Sequence, residues 1–361
     1  MFPVIPLYAA ELGATVAEVG LIVAVISYVT AFFLIPFGML SDKFGRHKLL
    51  AGGLAIFTLA PLLYPLANNP EQLILVRAIH GLAAAAFLPT AIAIVVDLTT
   101  EAKRGTAIGW YSASLQLGLM AGPITGGFLA SEFGFDAAFY GCSAVSLVGL
   151  AFVLSRLDVL VHRPPATPDK VSSSWRWLGR PLAFAVLLAP LLVAVGSGTI
   201  GGYIPLYGME FGMTEVDAGA IITAVYASSA LLRAPAGRLA DRIDRRILLV
   251  GGVALSAIAV SLFSFFHGLS QFIIIGIVFG IGMGIAMPVS LVMAADFSSA
   301  SGRALSMAIP TCFFQIGLAA GPTAMGFVAD SYGFEAMFLA CAASLAFGLL
   351  VILGLIWIQR G

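Results

Sequence analysis

The sequence predicts an all-α protein that crosses a lipid bilayer many times, and three observations lead to this fold class. Of its 361 residues, 60% are hydrophobic and only 10% are charged, and the mean hydropathy is +1.03. A soluble domain averages roughly 45–50% apolar and about 25% charged residues. The apolar residues lie in helix-length runs, and the basic residues fall on one predicted side of them. A water-soluble globule is excluded, because too few polar side chains exist to cover its surface.

Eleven apolar runs are long enough to span a bilayer, for which a helix needs about 20 residues. They lie at 18–40, 48–67, 72–96, 106–128, 137–156, 181–207, 217–237, 247–267, 271–294, 304–328 and 336–358. None alternates in polarity as the strands of a membrane barrel do, so each run is predicted to be a helix. Met1 to Tyr8 form a short apolar stub without the basic flank or cleavage site of a signal peptide.

The basic residues predict the orientation in the membrane. With the loop after Leu40 placed inside, 16 of the 18 Lys and Arg residues fall on that side. The two exceptions, Arg77 and Arg233, lie within apolar runs. Cytoplasmic loops carry an excess of Lys and Arg. We therefore expect a multi-pass protein of the inner (plasma) membrane, with the segment 157–180 and the C-terminus in the cytoplasm.

The sequence repeats itself with an offset of 199 residues. The tripeptide PLY at 6–8 returns at 205–207, and later charged and turn residues keep the same register without a gap. Because the offset covers an even number of helices, the halves are predicted to be parallel repeats, related by an axis along the membrane normal. The predicted organisation is an N-terminal helical half at 1–156, a cytoplasmic linker at 157–180 and a C-terminal helical half at 181–361.

The repeat also implies that the first helix is largely missing. Met1 corresponds to Ile200, so the counterpart of the helix near Pro181 would begin about 18 residues before Met1. We expect five full helices and a fragment in the first half, against six helices in the second. The expected explanation is a start that is set too late, or a truncation.

One motif occurs at the predicted inner end of helix 2 and again 199 residues later. It reads GMLSDKFGRHK at 38–48 and GRLADRIDRR at 237–246. Both copies resemble the G-x-L-[AS]-D-[RK]-x-G-R-[RK] signature of the major facilitator superfamily, although the second has Asp244 where the signature has glycine. The resemblance implies a bundle of two pseudo-symmetric six-helix halves, of which this chain holds eleven full spans and the N-terminal stub.

In this family the motif Asp and Arg join an acidic residue at the inner end of helix 4, and the Asp also lies by a helix N-terminus of the other half. The resemblance thus implies a gating network of Asp42, Arg46 and Asp97, repeated as Asp241, Arg245 and Asp296. An Asp that meets a helix N-terminus in only one conformation acts as a latch, because the helix dipole stabilises its charge there. The alternative is that these are ordinary basic loops.

Helix 4 carries LVRAIHG at 75–81, which is similar to the R-x-x-[QH]-G element of the same superfamily. By this resemblance Arg77 takes part in proton coupling, and His80, one turn further in, is a candidate titrating partner. Arg77 corresponds to Gly276, so only one half has the charge. The alternatives are that Arg77 snorkels to the outer surface and that His80 is a structural histidine.

Helix 5 contains GLMAGPITGG at 118–127, which is similar to the G-x-x-x-G-P-x-x-G-G element of drug and proton antiporters. Gly118, Gly122 and Gly126 line one face and permit close packing, and Pro123 is expected to bend the helix. Gly127 is the last residue of this helix-packing motif. In relatives this face packs on helix 1, so the groove along it is expected to be unfilled here.

The predicted function is secondary active transport by alternating access. We expect a monomeric proton-coupled antiporter that exports small apolar or amphipathic molecules through a central cavity. Candidate cavity residues are Gln116, Arg233 and Gln315; the alternatives are interhelical hydrogen bonds for the glutamines and inner-leaflet phosphates for Arg233. The runner-up functions are a sugar or metabolite exporter on the same scaffold, and a non-transporting or truncated membrane protein.

Other kinds of chemistry find no support in the sequence. It contains no P-loop, no Ser/His/Asp arrangement, no metal-ligand spacing and only three scattered cysteines. We therefore predict no enzyme activity, no cofactor and no metal. The 18 basic and 18 acidic residues balance, which gives no reason to expect a nucleic-acid partner. Because no Asp or Glu lies mid-span, coupling is expected to depend on Arg77, His80 and the carboxylates at span ends, or on a carboxylate in the missing helix.

Overall fold

The computed structural model describes residues 3–156, 181–240, 242–297 and 303–359 of the chain. Every regular element among these residues is helical, which confirms the predicted all-α class. The predicted linker 157–180 lies outside the described residues. We call the described residues up to 156 the N-terminal half and those from 181 onward the C-terminal half.

Ten helices of the described residues precede a final helical run. They are α1 (Val4–Glu11), α2 (Val16–Phe44), α3 (Arg46–Leu63), α4 (Pro70–Asp97), α5 (Glu101–Phe133), α6 (Phe135–Leu154), α7 (Pro181–Met209), α8 (Glu215–Ala240), α9 (Arg245–Leu262) and α10 (Leu269–Asp296), with a 3₁₀ turn at Tyr64–Leu66. A final run, Arg303–Ile358, is broken at Gly333, whose φ is 84°. We number its parts α11 (303–332) and α12 (334–358). Gly134, with φ 83°, separates α5 from α6 in the same way.

The described residues contain ten helices that are long and apolar enough to cross a membrane, and the last of them, Ile309–Ile358, has 50 residues. A helix of that length extends about 75 Å, more than twice the thickness of the hydrocarbon core. The break at Gly333 makes it two spans. This gives the eleven spans that the sequence predicts, with α1 as an additional stub of eight residues.

The 199-residue repeat is visible in the local structure. At the start of α2, the Thr15 N–H donates to Glu18 Oε2 at 2.8 Å, and the Thr15 hydroxyl accepts from the Glu18 N–H. At the start of α8, the Thr214 N–H donates to Asp217 Oδ2 at 2.8 Å, and the Thr214 hydroxyl accepts from the Asp217 N–H. Such reciprocal bonds satisfy backbone donors that a helix start leaves free. Equivalent residues therefore begin equivalent helices.

The two halves differ at their first helix. In the C-terminal half, α7 packs extensively on the helical run Arg303–Ile358. Its counterpart α1 is so short that it makes only a small contact with α5 and packs mainly on α2 and α7. The core of the N-terminal half is accordingly smaller, and it joins α1 to α2, α4 and α6 through buried residues such as Ile5, Ile22, Leu73 and Phe139.

Candidate functional site

Two helix pairs make the main contacts between the halves, α2 with α11 and α5 with α8, and α1 and α2 make smaller contacts with α7. The end of α2 and start of α3, and the end of α8 and start of α9, carry the two motif copies and lie at one end of the bundle. We call this the basic end and the other the opposite end. Because α2 and α8 run toward the basic end and α5 and α11 run away from it, each pair is antiparallel.

The halves touch at the opposite end. Tyr28 Oη donates to Thr323 Oγ1 at 3.3 Å between α2 and α11, and Thr223 Oγ1 donates to the Met120 carbonyl at 2.9 Å between α8 and α5. All four residues lie in the part of their helix that is remote from the basic end. The backbones also come close, since a Cβ built on Gly219 of α8 would lie 2.6 Å from the Pro123 carbonyl oxygen of α5.

Toward the basic end, the same interface helices leave large apolar side chains uncovered. On α2, Phe32 is 74% exposed and Met39 is 70% exposed. Trp110 on α5 is 73% exposed and Leu231 on α8 is 70% exposed. The described contacts between the halves thus lie toward the opposite end, and large apolar side chains are exposed toward the basic end as well as at positions such as Phe133 and Tyr332 nearer the opposite end.

A buried polar cluster lies inside the N-terminal half, near the opposite end. Arg77 donates from Nε to the Ile22 carbonyl at 3.1 Å and from Nη2 to the Val23 carbonyl at 3.2 Å. His80 Nδ1 lies 3.1 Å from Tyr64 Oη. Both Arg77 and His80 are less than one-tenth exposed. The snorkelling alternative for Arg77 is therefore wrong, because its guanidinium turns inward onto the backbone of α2.

Close packing of α4 on α2 brings Arg77 to those carbonyls. Gly81, one turn beyond Arg77, makes this approach possible, because a Cβ there would lie 2.8 Å from Val29 Cβ and 2.9 Å from the Ile26 carbonyl oxygen. Thr30 Oγ1 donates across the same contact to the Gly81 carbonyl at 3.3 Å. The glycine of the R-x-x-[QH]-G element thus has a structural role in positioning the arginine.

Sequence reasoning misses Tyr64, although a signal for it exists in the repeat. Its hydroxyl meets His80, and its ring stacks on Phe139 at a centroid distance of 5.0 Å. The positions 199 residues after the three polar cluster members hold Phe263, Gly276 and Phe279. Both of these phenylalanines are fully buried. One half therefore packs apolar groups where the other buries a tyrosine, an arginine and a histidine.

The predicted gating residues form ion pairs at the basic end of both halves. Arg46 Nη1 pairs with Asp97 Oδ2 and donates to the Ala93 carbonyl at 3.0 Å, which ties α3 to α4. Arg245 Nη1 pairs with Asp296 Oδ2, which ties α9 to α10. The first pair is the more buried, with side chains 17% and 12% exposed against 31% and 56%.

The contacts of Asp42 and Asp241, the other two members of the predicted network, lie outside the described part of the structure. Asp42 lies in the last turns of α2, but its side chain is outside the described part of the structure, and Asp241 is outside it altogether. Their predicted contacts with the two ion pairs remain predictions.

The glycine faces of α5 and α11 have different surroundings. On α11, a Cβ built on Gly321 would lie 2.9 Å from Val195 Cα, and one built on Gly317 would lie 2.9 Å from Ala194 Cβ, so this face presses on α7. On α5, a Cβ on Gly118 or Gly122 would meet no described atom within 4 Å. The groove along this face is unfilled by the described residues, as we expect from the sequence.

Close packing on α5 occurs at a neighbouring position instead. A Cβ on Gly127 would lie 3.2 Å from Val216 Cα of α8, whereas Gly126 is half-buried. Gly118 and Gly122 therefore make no close contact within the described part of the chain. The residue that brings α5 against the other half is the last one of the motif.

The three candidate cavity residues are covered to different degrees. Gln116 is buried, whereas Arg233 and Gln315 are half-buried. Among the described residues, Gln116 Nε2 and Arg233 Nε have no hydrogen-bond partner. Arg233 interacts electrostatically with Tyr226, two turns earlier on α8, and the Tyr226 side chain is hydrogen-bonded to Ser197 of α7. The structure does not bring the three residues into one described contact. Within the described ranges, no group of three or more His, Cys, Asp or Glu residues is arranged to hold a metal.

Comparison with known proteins agrees with this architecture. Residues 1–219, and in a second match residues 186–361, fit the family model of the Major Facilitator Superfamily. The multidrug resistance protein MdtG of Klebsiella pneumoniae is 29% identical over 365 residues, covering 96% of this chain and 87% of the relative. The multi-drug resistance efflux pump PmrA of Streptococcus pneumoniae is 27% identical over 362 residues, covering 96% and 89%.

Two solved structures share the fold. One is a bacterial homologue of the human lysosomal transporter Spinster, with a TM-score of 0.80 and 15% identity over 99% of this chain and 93% of that one. The other is the nucleoside transporter NupG, with a TM-score of 0.80 and 15% identity over 98% and 94%. The predicted family is confirmed, and so is the prediction that the protein is not an enzyme, because the relatives are transporters. The chain belongs to the Major Facilitator Superfamily, and it is a multi-pass membrane transporter.

Proposed function

We propose that this transporter, acting as a monomer, exports small apolar or amphipathic molecules in exchange for protons. Two relatives that align over 96% of the chain are named for multidrug resistance and efflux, which supports the substrate class. The observation that carries proton coupling is the buried cluster of Tyr64, Arg77 and His80. The C-terminal half packs with Phe263, Gly276 and Phe279 at the corresponding positions. The polar groups of the cluster therefore serve a purpose other than holding the bundle together.

In the proposed orientation the basic end faces the cytoplasm. The contacts between the halves at the opposite end then close the cavity to the outside, and its cytoplasmic side is open. Substrate would enter along uncovered apolar surface such as Phe32, Met39 and Trp110. This surface favours apolar molecules, since burying apolar area is worth roughly 25 cal/mol per Å².

The cluster is connected to the interface between the halves through α2. When Nδ1 of His80 carries no proton, Tyr64 donates to it; protonation there turns the imidazole into a donor and a cation, one turn from Arg77. Arg77 in turn holds two carbonyls of α2, and further turns of α2 contact α11. Repulsion between protonated His80 and Arg77 therefore acts on α2, which contacts the other half. Proton binding is in this way linked to the relative position of the two halves.

The ion pairs at the basic end are proposed to belong to the gate. Arg46 with Asp97 and Arg245 with Asp296 hold the starts of α3 and α9 against the ends of α4 and α10. When the halves close at the cytoplasmic side, Asp42 and Asp241 are proposed to join these pairs and to meet helix N-termini of the other half, whose dipoles stabilise the carboxylates.

The substitution His80→Gln tests coupling. Glutamine is neutral at every pH but retains hydrogen-bonding capacity toward Tyr64. In proteoliposomes, we expect dye transport driven by a pH gradient to fall by about 5- to 150-fold, the range of ordinary coupling energies. Dye exchange without a gradient should persist, because the cavity is unchanged.

The matched control is His267→Gln, which removes a histidine at the opposite end that lies 3.4 Å from Glu335. This variant should transport like the unmodified protein. Unaltered gradient-driven transport in His80→Gln would overturn the proposed coupling site, while the export function itself would stand.

A second candidate function is export of an anionic metabolite. It is supported by Arg233, a half-buried cation on α8 whose counterpart in the other half is Leu34. If the cargo is anionic, Arg233→Gln should abolish its transport, and a cationic dye should be carried as well as before or better. Competition between an anionic and a cationic dye in the same vesicles measures this directly. Equal loss of both dyes would contradict a role for Arg233 in recognising charge.

A further inference from the structure

A groove outside the proposed transport path lies between α9 and α12 at the basic end. It encloses about 690 Å³, and its walls are almost wholly apolar. Val250 and Gly251 line it from α9, and Leu353 and Gly354 line it from α12. Its lining also includes Arg246, Ile247, Ile356 and Trp357.

The groove exists because both helices lack a side chain where they would otherwise fill it. A Cβ built on Gly251 or on Gly354 would meet no atom of the described residues within 4 Å. Arg246 is half-buried and lies one residue into α9, so the positive charge is at the basic end of the groove. Trp357 is 76% exposed and lies in the last turn of α12. The groove is thus apolar in its interior and has a cation and an indole at the same end.

This combination occurs in one half only. The residues 199 positions before Arg246, Gly354 and Trp357 are His47, Ser155 and Asp158. The pseudo-symmetric bundle therefore does not require the cation, the second glycine or the indole at these positions. The C-terminal half carries them in addition to its architecture.

The geometry points to an anionic phospholipid as the occupant of this groove. A groove on a membrane-spanning surface is filled by acyl chain, and two facing glycines make room for one between the helices. Arg246 stands where a headgroup phosphate would lie, and basic residues at a cytoplasmic membrane surface attract anionic lipids. Tryptophan is enriched at the same depth.

Nearby charges leave the site positive. Asp244 accepts a hydrogen bond from the backbone N–H of Arg246 at 2.9 Å, and Asp296 pairs with Arg245. Asp244, Arg245 and Asp296 line a separate pocket against α7 and α10, which leaves Arg246 as the charged side chain that lines the groove among the described residues. A single cation there favours an anionic headgroup over a zwitterionic headgroup with no net charge.

Trp357 provides the readout. With Trp110, Trp175 and Trp177 replaced by phenylalanine, Trp357 is the single remaining tryptophan. The full chain is reconstituted in phosphatidylcholine vesicles that contain either brominated phosphatidylglycerol or brominated phosphatidylcholine. We expect quenching by the anionic lipid at about five-fold lower mole fraction, the factor that corresponds to about 1 kcal/mol for one basic residue at the surface.

Two variants separate the charge from the cavity. Arg246→Gln should remove the preference and keep quenching by both lipids, whereas Gly251→Leu should fill the groove and weaken quenching by both. Lys48→Gln removes an exposed cation at the corresponding end of the N-terminal half and should change neither. Inorganic phosphate should not reverse the quenching, because it has no acyl chain.

Equal quenching by the two lipids, or reversal by phosphate, would overturn the inference. A monodisperse elution profile of each variant shows that the fold is retained, so that a lost preference reports on the site. The experiment measures no transport, and its result is therefore independent of the proposed efflux function.

Discussion

Replacing Gly321 by valine is expected to prevent stable assembly of the bundle, whereas the same change at Gly122 is expected to be tolerated. A Cβ on Gly321 would lie 2.9 Å from Val195 Cα, which is a backbone atom and cannot rotate away. Overpacking of a core costs about 1–3 kcal/mol when side chains absorb it, and a clash with backbone costs more. Gly122 has no described atom within 4 Å of the same position.

The comparison is matched because both glycines occupy the same place in the repeat, 199 residues apart. Both variants replace glycine with valine, so the change in helix propensity is the same in each. The difference in stability between the two variants therefore reports on the contact between α7 and α11. Fluorescence-detected gel filtration during a heating series in detergent measures it. We expect a lost or strongly lowered transition for Gly321→Val and a transition close to that of the unmodified chain for Gly122→Val. Equal destabilisation of the two variants would show that the face of α5 is covered in the folded protein.

Much of the architecture can be predicted from the sequence because it depends on signals that are local or repeated. The apolar runs determine the spans, and the single offset determines which helices correspond. The cap at Thr15 and its repeat at Thr214 are local signals of the same kind. Each of these features depends on residues that are near one another in the chain, or at a constant separation.

The contacts of the candidate site are harder to predict from the sequence, because they depend on how the helices pack against one another. The position of Arg77 in an apolar run predicts that its side chain is either buried or snorkels to the surface. Its hydrogen bonds to the Ile22 and Val23 carbonyls depend on how closely α4 approaches α2. Tyr64 begins the 3₁₀ turn after α3 and belongs to no motif, so only its polarity relative to Phe263 distinguishes it. The close contact of α5 likewise depends on the other half, because α8 packs against Gly127.

The substitution Arg77→Lys is expected to be as damaging to coupled transport as Arg77→Ala, although it keeps the positive charge. The two hydrogen bonds come from Nε and Nη2, and they reach the carbonyls of two consecutive residues at 3.1 and 3.2 Å. A guanidinium holds these donors in a fixed plane, whereas an ammonium is a single point charge on a flexible stem. We expect gradient-driven dye transport to fall by about 5- to 150-fold in both variants, the range of ordinary coupling energies.

Arg233→Lys is the matched control, because Arg233 also lies within a span but is proposed to act through its charge alone. It should retain gradient-driven transport, and dye exchange without a gradient should persist in all three variants. If Arg77→Lys were as active as the unmodified chain, a charge at this position would suffice, and the hold of Arg77 on α2 would not transmit proton binding. If Arg77→Lys instead lost exchange together with coupling, Arg77 would serve the stability of the α2 and α4 contact. Loss of coupling with exchange retained is the outcome that only a link through the α2 carbonyls explains.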